Sequence, residues 1–216
     1  LKGLSAYGID RFVAMAPGAG PYSMAGTMRD LMVKDSPLPF DGRFYAPYVT
    51  IMMNNTYKKY AAPSDYLEGS YAKQLPLLFN GNHTGKEINE MMPPIVKNII
   101  NKNILDGFVS GDTNSILYNY LLINDLALAK FPAEMVDRPS ILLIHGGEDD
   151  LVPEQNTVYA ETDLRKGNWQ KMDKEVLKTS TEAIILKNNP LLSVPYHVSY
   201  FYRWGGSAWR WLRSQN

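Results

Sequence analysis

Cysteine is absent from the 216 residues. This excludes disulfides, thiolate nucleophiles and cysteine-ligated metal sites, and leaves the compartment open. Neither sign of charge is in excess, since Lys plus Arg and Asp plus Glu are each 22. No global field therefore favours nucleic acid or an anionic lipid surface as a partner. No apolar run approaches the roughly 20 residues that cross a bilayer, and no charged segment leads into an apolar h-region at the start. Histidine is scarce: His83, His145 and His197 are far apart and form no H-x-x-x-H or H-x-H pair, so local spacing specifies no metal site. The expectation is a protein with no nucleic-acid partner, no membrane span and no bound metal.

What is present is an ordinary globular composition, 45% hydrophobic and 20% charged, long enough for one core plus an insertion. Residues 1–10 read as a helix end capped at Gly8. The run RFVAMA (11–16) reads as a short buried strand that stops at PGAGPY. From Ser23 to Ala129 the character changes to a Met-, Tyr- and Asn-rich stretch that holds seven of the ten methionines. Helices are predicted over 45–60, 64–79 (broken near Pro76), 85–92, 95–104 and 113–129. Met24, Met28 and Met32, spaced by four, share one face of a further helix. That stripe suits either a core or a pliable pocket lining. Pro132 and Pro139 then fence off a strand at 140–144. A helix is predicted from Glu154 to Lys166, a third strand at 182–187 (EAIILK), and a closing helix from about Gly206 with its indoles packed inward. Strand, large helical insert, strand, helix, strand, helix is the order of an α/β layered domain carrying an inserted cap, with the core at 1–22 and 130–216 and the cap at 23–129.

Two stretches could carry chemistry. Gly18-Ala-Gly20-Pro-Tyr-Ser23 follows a strand with nearly the spacing of a dinucleotide turn. However, Pro21 falls inside it, Ser23 stands at the third glycine position, and Asp41 does not end a second parallel strand, so a tight strand-end loop is the better reading. HGGEDDLVP (145–153) places Glu148, Asp149 and Asp150 at the carboxyl end of a strand, where catalytic groups of parallel sheets gather. Gly146 and Gly147 are expected to let the backbone turn there. The acids could instead cap the following helix. His197 follows in SVPYHVSY, and an acid followed by a histidine is the chain order in which a carboxylate orients a general base.

FVAMAPGAGPYSMAGTM, a helical insertion, PSILLIHGGEDDLVP and a late PYHVS together resemble the C-terminal part of α/β-hydrolase-fold serine hydrolases, especially the bacterial esterase and secretory-lipase-like group. The resemblance spans nearly the whole chain. It implies Asp149 as triad acid and His197 as general base, with Asp150 as the neighbouring alternative and Glu148 disfavoured. It also implies no cofactor, a small-molecule ester substrate and a secreted or periplasmic setting. The nucleophile is not apparent. The family's G-x-S-x-G elbow does not occur, and in Gly3-Leu-Ser5-Ala-Tyr7 a tyrosine replaces the second glycine with only two residues before the first. The expectation is that the elbow serine, the oxyanion-hole amides and the rest of the sheet lie upstream of Leu1, so that this chain's partner is the remaining N-terminal part of the domain. A non-catalytic protein that keeps the fold as a binding scaffold is the competing reading.

Overall fold

The computed structural model describes residues 13–126, 138–167, 169–179 and 196–215, together with positions 184 and 188. The helix end expected at 1–10, including Ser5 and Gly8, lies outside the described residues. So do the start of the strand at 11–16, the end of the helix at 113–129 and the whole of 182–187 except Ile184. In chain order the elements are β1 (Ala14–Met15), α1 (Arg29–Met32), α2 (Tyr45–Tyr57), α3 (Tyr71–Leu78), α4 (Gly85–Met91), α5 (Lys102–Ser110), α6 (Ile116–Ile123), β2 (Ser140–Gly146), α7 (Gln155–Lys166), β3 (Met172–Leu177), α8 (Tyr196–Ser199) and α9 (Phe201–Arg213). They form two compact units, Leu1–Tyr22 with Ala127–Asn216, and Ser23–Leu126.

The first unit holds a parallel sheet in the order β1-β2-β3. β2 is central, and its sequence explains why. A strand covered on both faces needs a nearly continuous apolar run, and Ile141-Leu-Leu-Ile144 supplies it. Ile141 and Leu143 pack on one face with Tyr22, Ala160 of α7, Trp169 and Met172. Leu142 and Ile144 pack on the other with Leu177, Tyr200 and Ala208 of α9. The layering is therefore helix, sheet, helix. Among the described residues the third strand is Met172–Leu177. MDKEVL buries only Met172 and Leu177, while Asp173 and Lys174 face out, as suits an outer strand that discourages further pairing. Ile184, the one described residue of EAIILK, is helical. The closing helix begins at Phe201, earlier than its glycine pair suggests. Of its indoles, Trp204 and Trp211 pack inward and Trp209 is 64% exposed.

The second unit is helical and has its own core, centred on Tyr66, Leu75, Phe108, Leu117, Tyr120 and Leu121. Helix ends are well signalled. Thr84 accepts from the Glu87 amide while Glu87 accepts from the Thr84 amide, a reciprocal capping box. Gly111 closes α5 in the left-handed region at φ 71°. Pro76 sits inside α3 without breaking it, and that helix begins at Tyr71, not at residue 64. The methionine stripe does not survive. A π-helical turn, Met24–Met28, precedes α1 and changes the period, so Ala25, Thr27 and Met32 are the buried positions. The tyrosines serve the core: Asn54 Oδ1 accepts from Tyr120 Oη at 2.8 Å and from the Tyr60 amide at 3.0 Å, and the Tyr57 and Tyr120 rings stack. The bland reading of this composition, a helical core, is the one the unit adopts.

Candidate active site

β2 ends at Gly146, and the chain turns at once into Gly147-Glu148-Asp149-Asp150. Neither glycine takes a positive φ, so the turn does not need glycine for its backbone conformation. The requirement at Gly146 is space: a Cβ built there would lie 1.9 Å from the Tyr200 ring. The loop is fixed by Asp149. Its Oδ1 accepts from the amides of Leu151 at 3.0 Å and Val152 at 2.9 Å, closing the turn through a side chain. No side-chain cap opens α7, so the helix-cap reading of the acids does not hold.

The other oxygen of Asp149 faces a histidine. His197, on the short helix α8, places Nδ1 at 2.6 Å from Asp149 Oδ2, and the Asp149 side chain has no exposed surface. Asp150 accepts from the backbone amide of His197 at 3.4 Å. Glu148 is exposed and accepts from the Thr179 hydroxyl, while its amide donates to Tyr200 Oη at 3.3 Å. Of the three carboxylates, Asp149 is thus the one brought to the imidazole.

The sheet and the helices on its two faces have counterparts among solved structures. The rice cell wall degrading esterase LipA from Xanthomonas oryzae matches with a TM-score of 0.68 at 21% identity, over 89% of this chain and 52% of that one. The fold is that of the α/β hydrolases. A Legionella pneumophila protein provisionally described as a hydrolase matches with a TM-score of 0.66 at 20% identity, over 94% of this chain and 51% of its own. The chain therefore spans about half the length of these α/β-hydrolase relatives in structure. No protein-family model and no curated protein matches the sequence.

The electrostatics of the pair follow from its geometry. The hydrogen bond and negative charge of Asp149, with a smaller contribution from Asp150, raise the His197 pKa above its ordinary value of 6.5, against a desolvation effect that lowers it. A base whose folded pKa is raised contributes stability that is fully present below the unfolded value and lost as pH rises through the folded one. We therefore expect denaturant-measured stability to fall as pH rises from about 6.5 through the raised folded value of His197. An Asp149→Asn variant should lack that segment of the profile, and an identical profile in the variant would contradict the assignment.

Beside His197 lies a recess of about 180 Å³ whose lining includes Gly18, Ala19, Gly146, Tyr200, Phe201 and Trp204. The Gly18 loop is part of this hydrolase-fold wall. Ala19 donates its amide to Ile144 O at 2.8 Å, and a Cβ on Gly18 would lie 2.4 Å from the Trp204 indole. Among the described residues no group of three His, Asp or Glu side chains is arranged to hold a metal, and no helix is long and apolar enough to cross a membrane. Sequence reading passed over His145 and Tyr200. The histidine carried a signal, since it lies near the end of β2, four residues before Asp149. Tyr200 carried a weaker one, three residues after His197.

Proposed function

We propose that the complete protein is a serine hydrolase acting on carboxylic esters, with Asp149 as triad acid and His197 as general base. The observation that carries this reading is the 2.6 Å contact between His197 Nδ1 and a fully buried carboxylate at the end of the central strand. Nδ1–H donates to Asp149, which leaves Nε2 with its lone pair free to take a proton. In this proposal a serine contributed by chain preceding Leu1 attacks the acyl carbonyl as His197 accepts the hydroxyl proton. His197 then returns that proton to the departing alkoxide, and water repeats the cycle on the acyl-enzyme. Asp149 holds the imidazole and stabilises the imidazolium, and backbone amides stabilise the oxyanion.

The apolar recess beside His197 supports a substrate with an apolar group next to the ester. The structural likeness to an esterase points the same way. No cofactor, nucleic acid or membrane insertion enters the scheme. The remaining N-terminal part of the domain is the partner it requires.

The test is labelling of the full-length protein with a fluorophosphonate probe, which reacts with an activated serine. Labelling is expected in the wild type and is expected to be lost in His197→Ala. Retained labelling and ester hydrolysis in that variant would overturn the reading.

A further inference from the structure

His145 plays no part in the scheme above, yet it is a buried polar side chain beside the site. Its imidazole has no exposed surface and bridges three segments. Nε2 lies 2.7 Å from the carbonyl oxygen of Val152, which can only accept, so Nε2 carries the proton. Nδ1 lies 2.6 Å from Thr157 Oγ1 on α7 and accepts from that hydroxyl. The hydrogen-bond partners thus assign one tautomer.

Val152 is the residue on which this arrangement turns. Its carbonyl is held by His145, and its amide is one of the two that hold Asp149 Oδ1, at 2.9 Å. The same Nε2–H lies 3.6 Å from Asp149 Oδ2, the oxygen that faces His197. At that distance it is no hydrogen bond, but it sets a proton-bearing nitrogen beside the carboxylate. The imidazole therefore ties β2, the acid loop and the first turn of α7 together around the carboxylate.

We propose that His145, oriented by Thr157, is a positioning residue that fixes the rotamer and charge distribution of Asp149. This rests on the reading of Asp149 and His197 as acid and base. Loss of the Thr157 hydroxyl frees the imidazole to rotate and leaves a buried ring nitrogen without a donor. Asp149 Oδ2 then no longer meets Nδ1 in one geometry.

The experiment uses the full-length protein, p-nitrophenyl acetate as substrate, and proton NMR of the low-field Nδ1–H resonance of His197. Thr157→Val keeps the side-chain shape and removes the hydroxyl. It is expected to lower kcat about 10-fold, with KM changed by less than about twofold, and to shift or broaden the low-field resonance. Thr157→Ser is expected to restore both. His145→Gln, which can still donate to Val152, should fall between Thr157→Val and His197→Ala. A Thr157→Val protein with wild-type kcat and an unchanged resonance would overturn the role of His145. Hydrolysis that persists in His197→Ala would instead overturn the acid–base reading on which it rests.

Discussion

Replacing Asp149 by Asn is expected to lower kcat for ester hydrolysis by the full-length protein by about 10⁴-fold while leaving the fold intact. Three contacts decide the outcome. Oδ1 accepts from two backbone amides, Leu151 and Val152, so in the variant the amide oxygen is held at that position. The amide nitrogen is then forced into the place of Oδ2, facing His197 Nδ1 at the wild-type separation of 2.6 Å. A donor there makes Nδ1 an acceptor and puts the ring proton on Nε2, the nitrogen that must be free to take a proton from the nucleophile. The imidazole would keep its position and lose its function.

The pH dependence should change with it. Asp149 is the leading cause of the raised pKa of His197, so the variant's residual activity should extend to lower pH than that of the wild type. Asp150→Asn is the comparison, because Asp150 accepts from the backbone amide of His197, at 3.4 Å, and is a smaller contributor to the raised pKa. It should lower kcat by less than about 10-fold, the effect of losing one long hydrogen bond. Steady-state kinetics and far-UV circular dichroism on both proteins would decide the matter. Asp149→Asn with activity within 10-fold of wild type would contradict the assignment of Asp149 as acid.

The parts of the site carried by local pattern were legible. The apolar run behind Pro132 and Pro139 read as a strand at 140–144, and Ser140–Gly146 is the centre of the sheet. The acid that follows its end was also readable, because parallel sheets collect functional groups there. The choice of Asp149 over Asp150 came from family spacing; in the structure two loop amides hold Asp149 with its other oxygen 2.6 Å from the His197 ring. Those same amides show why the helix-cap reading failed: they belong to residues 151 and 152, ahead of α7, which begins at Gln155.

What was not legible depended on partners distant in sequence. MDKEVL has too few apolar residues to read as a strand, and its pairing is supplied by β2. EAIILK outranked it on hydrophobicity alone. The Met-, Tyr- and Asn-rich composition of the second unit did not show where its polar aromatics go: Tyr60, Tyr66 and Tyr120 cluster with Asn54 inside that unit's core. Their spacing could not reveal this, since Asn54 and Tyr120 are 66 positions apart. The role of Gly146 was misread for the same reason: the group that forbids a side chain there comes from residue 200.

Gly146→Ala is accordingly expected to destabilise the protein by about 3 kcal/mol and, in whatever remains folded, to lower kcat by about 100-fold. The added carbon would sit 1.9, 2.0 and 2.5 Å from three carbons of the Tyr200 ring, well inside van der Waals contact. The ring has little room to retreat. Tyr200 is 3% exposed, packs with Leu142, Ile144, Leu177 and Ala208, and has its hydroxyl fixed 2.7 Å from Thr179 Oγ1. Relief must therefore come from the backbone. Tyr200 joins α8 to α9, so a shift there displaces His197, three residues earlier, from Asp149. A displacement of about 1 Å in a catalytic group is enough for the stated loss of rate. Gly147→Ala provides the contrast: its Cβ would meet Val176 Cγ1 at 3.3 Å and Leu177 O at an ordinary contact distance of 3.8 Å, and Val176 is 39% exposed and able to yield. That variant should lie within about 0.5 kcal/mol of wild type, as surface substitutions do. Urea denaturation and esterase kinetics on the two alanine variants separate the alternatives. If Gly146→Ala were no less stable and no less active than Gly147→Ala, the Tyr200 ring would not be what reserves position 146 for glycine.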